Sequence, residues 1–127
     1  MTQEQKDILL KDLCARLPYG VKVEYENKIF DVEYVCPMYE EIKLDIPETW
    51  TIDVSEVKPY LFPLSSMKEE QYDQLYIDSR VKNDSVDILD ALANDMDAIE
   101  YLLKNNFDIH GLIPIGLAND ATGLNIY

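Results

Sequence analysis

The chain has little of what most catalytic and metal sites are built from: 127 residues contain one histidine, two cysteines, four glycines and one tryptophan. A lone His110 excludes a multi-histidine zinc site, and Cys14 and Cys36 show neither CxxC nor HxxxH spacing. A Cys–His nucleophile would need thiol and imidazole to meet in space with a third group orienting the ring, so packing is the reading taken for all three. No GxGxxG, P-loop or GxSxG pattern occurs, which removes sequence support for nucleotide cradling and for a serine hydrolase. The acidic pairs Asp95/Asp97 and Asp84/Asp87 lack the glycine turn and terminal bidentate glutamate of a calcium loop. No catalytic, cofactor-binding or metal-ligating residue is therefore assigned, and no cofactor is expected. An enzyme reading survives only as an unrecognised activity resting on a pocket that the sequence cannot show.

Basic residues are also scarce. Eleven Lys and Arg stand against 25 Asp and Glu, a net charge of −14 with a pI near 4.2. Such a surface repels phosphate backbones and anionic headgroups, so neither direct nucleic-acid binding nor membrane adsorption is expected. A protein partner, most easily a basic one, is easier to accommodate. No apolar run approaches the roughly 20 residues that span a bilayer, and the first residues lack the basic start and apolar stretch of a signal peptide. The expectation is a cytoplasmic protein whose two cysteines are unpaired and buried.

What is present suits a packed globule: 47% of residues are apolar and nine are tyrosine. One domain over 1–127 is expected. Thr2 and Gln5 form a capping box for a helix over 3–16, with Leu10, Leu13, Cys14 and Leu17 at helical spacing. The runs 21–26 and 29–36 are rich in β-formers and read as a hairpin turning at Asn27-Lys28. That turn pairs Tyr25 with Phe30, Val23 with Val32 and Val21 with Tyr34 on one buried face, and Lys22 with Glu33 on the other. Strands over 41–46, 50–54 and 60–62 bring the count to about five, the spacing of a small SH3-like barrel or a curled antiparallel sheet covered by the first helix.

Past Pro63 the pattern turns helical. Ser65-Ser66 with Glu69 opens one helix, and a second over 86–104 has an apolar stripe from Leu89 to Leu103. The fold class expected is thus α+β, with a helix and about five strands over 1–64 and helices with an ordered apolar tail over 65–127. The tail from Phe107 is predicted to pack under the 86–104 helix and to add a strand to the sheet. The outer face of that helix offers a candidate acidic partner surface of Asp87, Asp90, Asp97 and Glu100. One reading makes it a mimic of duplex DNA, which carries a charge every ~1.7 Å.

Three stretches carry a resemblance: Leu13-Cys14-Ala15-Arg16-Leu17-Pro18-Tyr19-Gly20-Val21-Lys22-Val23, then Val57 through Met67, and then Tyr101 through Asp108 with Gly111-Leu112-Ile113 and Gly116-Leu117-Ala118. In these the chain resembles a family of small uncharacterised proteins of gut bacteria and their phages and mobile elements. The resemblance implies no cofactor or catalytic residue. It implies only an accessory setting, which favours binding roles over metabolic enzymes. With the missing site residues and the apolar tail, the reading is a non-catalytic protein-interaction module, with an acidic DNA mimic or an unrecognised enzyme as alternatives. Oligomeric state is left open.

Overall fold

The computed structural model of the chain describes residues 1–47, 50–68, 70–71 and 96–127. The first helix, α1, spans Gln3–Arg16, and its capping box forms as the sequence predicts: the Gln5 amide donates to Thr2 Oγ1 at 3.1 Å and the Thr2 amide to Gln5 Oε1 at 3.0 Å. The buried stripe is Leu9, Asp12, Leu13 and Arg16 with Leu10 beside it. Relative to the expected stripe it is rotated by one residue, and Cys14 points outward. Cys14 is exposed and Cys36 half-buried, both free, so the expected burial fails while the absence of a disulfide holds.

Strands β1 (Lys22–Tyr25), β2 (Lys28–Cys36), β3 (Glu41–Leu44), β4 (Ile52–Asp53), β5 (Lys58–Leu61) and β6 (Asn119–Asp120) form one six-stranded sheet in the order β4-β3-β2-β1-β5-β6. All pairs are antiparallel except β5 and β6, which run parallel. Since β4 and β6 are not joined, the sheet is open and mixed, which corrects the SH3-like barrel.

The hairpin turns at Glu26-Asn27, one residue earlier than predicted. Both have positive φ, 50° and 64°, as a two-residue turn matched to strand twist requires. Moving the turn by one shifts each partner by two, so Val23 faces Phe30 and Lys22 faces Asp31. An even shift keeps every side chain on its face. Val21 and Val23 are buried, and Tyr25, Phe30 and Val32 pack against them. Tyr34 does not, because the β2–β3 register slips between Val32 and Tyr34. This bulge turns Tyr34 to solvent and brings Val35 inward. The cross-strand ion pairs follow the true register: Lys22 reaches Asp31 at 2.8 Å and Lys43 reaches Glu33 at 3.2 Å.

The main core sits between the sheet, α1 and the 112–118 turns: Leu9, Leu13, Val23, Ile42, Leu61 and Leu112 are fully enclosed. A second cluster joins Leu64, Met67, Ala98, Leu102 and Phe107. Here α2, Met96–Lys104, is the one helix of eight or more residues among those described past residue 64. The helical C-terminal half is therefore not borne out: the described residues from 64 on hold a 3₁₀ turn at Leu64–Ser66, the helix α2, and the turns and β6 of the tail. Residues 69 and 72–76 of the helix predicted from Ser65, and residues 86–95 of the other, lie outside the described residues.

The tail is ordered and adds a strand, as expected, and its apolar residues divide: Phe107 and Ile109 join the α2 cluster, whereas Leu112, Ile113, Leu117 and Ala118 join the main core. Phe62 and Phe107 form a parallel bridge, with Phe62 N–H donating to Asn106 O at 2.8 Å and Asp108 N–H to Phe62 O at 2.9 Å. Asp108 then accepts the amides of Leu112 and Ile113, both at 2.9 Å, which fixes the turn that inserts Leu112 into the main core. Within this tail, Leu112→Ala is expected to cost about 2–5 kcal/mol of unfolding free energy. Ile115→Ala, at a side chain 49% exposed, should stay within about 0.5 kcal/mol. Urea unfolding midpoints compare the two, and equal losses would show that the tail does not enter the core as described.

Candidate functional site

Beneath the tail lies a buried polar joint that the sequence reading missed. Asp12 and Arg16 are i,i+4 neighbours on the inner stripe of α1, both with fully enclosed side chains. Arg16 Nε donates to Asp12 Oδ2 at 2.8 Å and Nη2 to Asp12 Oδ1 at 3.0 Å, a two-point clasp. Nη2 also donates to the Phe107 carbonyl at 2.6 Å, and His110 Nδ1 lies 2.7 Å from Asp12 Oδ1. Burial pushes the Asp12 carboxyl up, but the hydrogen bonds and charges of His110 and Arg16 more than offset this and hold it below its ordinary value. The signal was present in the sequence: 9, 12, 13 and 16 form one helical stripe, so a charged pair at 12 and 16 shares it with two leucines.

Above this joint opens a groove of about 760 Å³ between the start of β1, the end of β5, the end of α2 and the last residues of the chain. Its floor is aromatic: the Phe62 ring lies 6.3 Å from Phe107 and 5.8 Å from Tyr127, both tilted. The Tyr127 hydroxyl accepts from Lys22 N–H at 2.9 Å and donates to Tyr60 O at 2.7 Å, which clamps the C-terminal residue across β1 and β5. Burial pushes its pKa up to about 12.

Among the described residues the rim carries Lys22, Lys68 and Lys104 and one side-chain carboxylate, Asp31. Lys22 is held by Asp31, whereas Lys68 and Lys104 are exposed and have no ion pair among the described residues. Lys104 occupies the last turn of α2, where a cation complements the free carbonyls of the helix end. Asn106 also lines the groove; it is 6% exposed, and its Oδ1 has no hydrogen-bond partner.

The candidate acidic surface is only partly within view. Asp97 and Glu100 are exposed on α2, while Asp87 and Asp90 lie outside the described residues. Glu100 lies near enough to Tyr19 to act on it: desolvation first, then the Glu100 carboxylate, raises the Tyr19 pKa. Among the described residues no three His, Cys, Asp or Glu side chains gather in a way that could hold a metal ion, and no helix is long and apolar enough to cross a membrane. Large apolar side chains are displayed on the turn between β2 and β3, where Met38 is 85% and Tyr39 70% exposed, and just before β4, where Trp50 is 88% exposed. No protein-family model matches the chain, and no curated protein or solved structure is similar to it.

The buried joint makes a stability prediction with a definite sign. The Asp12 pKa is lower in the folded chain, so its contribution is present above the carboxylate's unfolded value and is lost as pH falls through the folded one. Asp12→Ala should cost about 3–5 kcal/mol at neutral pH by leaving Arg16 buried and unpaired. Replacing both partners by apolar residues, Asp12→Leu with Arg16→Met, should cost less than that single change. Urea titrations from pH 7 to 3 check both, and a wild-type-like acid limb in Asp12→Ala would contradict the assignment.

Proposed function

We propose that the chain is a non-catalytic protein-interaction module of accessory type, and that its partner docks on the β4 edge of the sheet through a basic, partly apolar segment. The observation supporting this reading is the display of Met38, Tyr39 and Trp50 on the β2–β4 side. Met38 and Tyr39 lie in the 3₁₀ turn Pro37–Tyr39 joining β2 to β3, and Trp50 enters β4. Methionine and aromatic residues are the types that anchor protein interfaces, and they gain most when fully exposed before binding.

The partner's chemistry follows from the charge around these anchors. From Glu33 to Asp53 the chain has six carboxylates, Glu33, Glu40, Glu41, Asp45, Glu48 and Asp53, and one basic residue, Lys43. Lys6 from α1 adds one cation, 3.3 Å from both Glu40 and Asp53. A cationic segment is attracted to this edge and an anionic one repelled, while apolar side chains on it cover the three anchors. β4 is two residues long, with an outer backbone edge that pairs with no strand among the described residues, so an extended segment can add to it.

Selection of displayed random peptides against the intact chain tests this. The enriched peptides should be basic and carry apolar residues, their affinity should fall as salt rises, and Trp50→Ala should weaken them at least tenfold, in line with the ~2 kcal/mol expected of an interface anchor. Enrichment of acidic sequences, or unchanged binding to Trp50→Ala, would refute the reading.

A further inference from the structure

We propose that the groove beside the C-terminus is a binding site for a small organic anion: a compound with an aromatic or apolar body and one carboxylate or phosphate group. The β4 edge plays no part in it.

Three features of the groove converge on this chemistry. Its volume, about 760 Å³, is that of sites that enclose small molecules. Its lining includes two accessible rings, Phe62 and Tyr127, with the buried Phe107 packed behind Phe62 and the Tyr127 ring held by the two hydrogen bonds of its hydroxyl. Rings held in this way suit a flat apolar body, because little ordering cost remains at binding. Its rim holds Lys68 and Lys104, exposed and uncommitted among the described residues, while the third lysine, Lys22, is neutralised by Asp31.

The polar balance argues against two other occupants. Among the described residues, a cation would meet lysines on the rim and one side-chain carboxylate, Asp31, already bonded at 2.8 Å. A polyanion such as nucleic acid would extend beyond the groove into the field of a chain with net charge −14. A small anion avoids that field, since charges beyond about 8 Å are largely screened at physiological ionic strength.

The test uses the full chain and three probes of one shape: 2-naphthoate, 2-naphthyl phosphate and the neutral 2-naphthamide. Affinity is read by calorimetry, and contact by the chemical shifts of the Phe62, Phe107 and Tyr127 rings. At least one anion should bind at least tenfold more tightly than the amide and move those rings, and the tighter anion identifies the head group. Lys68→Ala with Lys104→Ala should remove most of that preference, whereas Lys11→Ala, an exposed lysine on α1 outside the groove, should leave it intact. Equal binding of amide and anions, an undiminished preference in the lysine variant, or no binding by any probe overturns the proposal.

Discussion

The fold depends on one buried ion pair. Asp12 and Arg16 occupy two of the most enclosed positions on α1, where leucines would be the simpler choice. A buried pair rarely stabilises more than apolar residues of the same volume, but removing one partner is costly. What the pair adds here is connection. The same guanidinium nitrogen that holds Asp12 also holds the Phe107 carbonyl, 91 positions along the chain, and His110 meets the same carboxylate. Helix, tail and sheet are thereby joined at one point, because Phe107 bridges Phe62 at the end of β5. Each part of the groove is built outward from that joint.

The elements were legible where local chemistry decides them and illegible where the chain meets itself. The capping box at Thr2 and Gln5 needs only residues three apart, and it formed as expected. The hairpin was found but its turn was misplaced. Asn27 accepts positive φ readily, which makes it the natural first turn residue in the sequence, whereas Glu26 takes that position with φ 50°. The error cost no face assignment because strand periodicity is two. Tyr34 was misassigned for a different reason. A bulge is set by the partner strand, and nothing in the run from Ile29 to Cys36 marks where β3 will slip against it.

The groove was invisible in the sequence because its lining comes from residues far apart in the chain: Tyr19 to Lys22, Asp31, Phe62, Ser66, Lys68, Gln71, Lys104 to Phe107 and the stretch from Thr122 to Tyr127. Each lysine, taken alone, reads as a solvated surface residue. The apolar tail was visible as a conflict between composition and position, but composition alone does not say where a tail goes. Asp108 decides that, by capping the Leu112 and Ile113 amides and turning the chain back toward the core. The acidic stripe predicted over 86–104 rests on helical periodicity, which groups residues without tertiary information, and of its four carboxylates Asp97 and Glu100 lie among the described residues. Periodicity reports only that one face is polar, and Glu100, whose charge helps to raise the Tyr19 pKa, shows that such a face also interacts with other elements.

Charge is distributed unequally between the two ends of the sheet, and the topology explains how one small chain can sustain both. In the order β4-β3-β2-β1-β5-β6, the carboxylate-rich β3–β4 edge and the lysine-bearing groove beside β1 and β5 are separated by intervening strands. Adjacent strands lie about 4.8 Å apart, so the distance from β4 to β5 is about 19 Å, roughly two screening lengths at physiological salt. The two surfaces are thus electrostatically independent despite a net charge of −14. The β4 edge can attract a basic segment without neutralising the groove, and the groove can hold an anion without repelling that segment. An open sheet permits this separation. A closed barrel would bring the two edges together and set the acidic edge against the lysines.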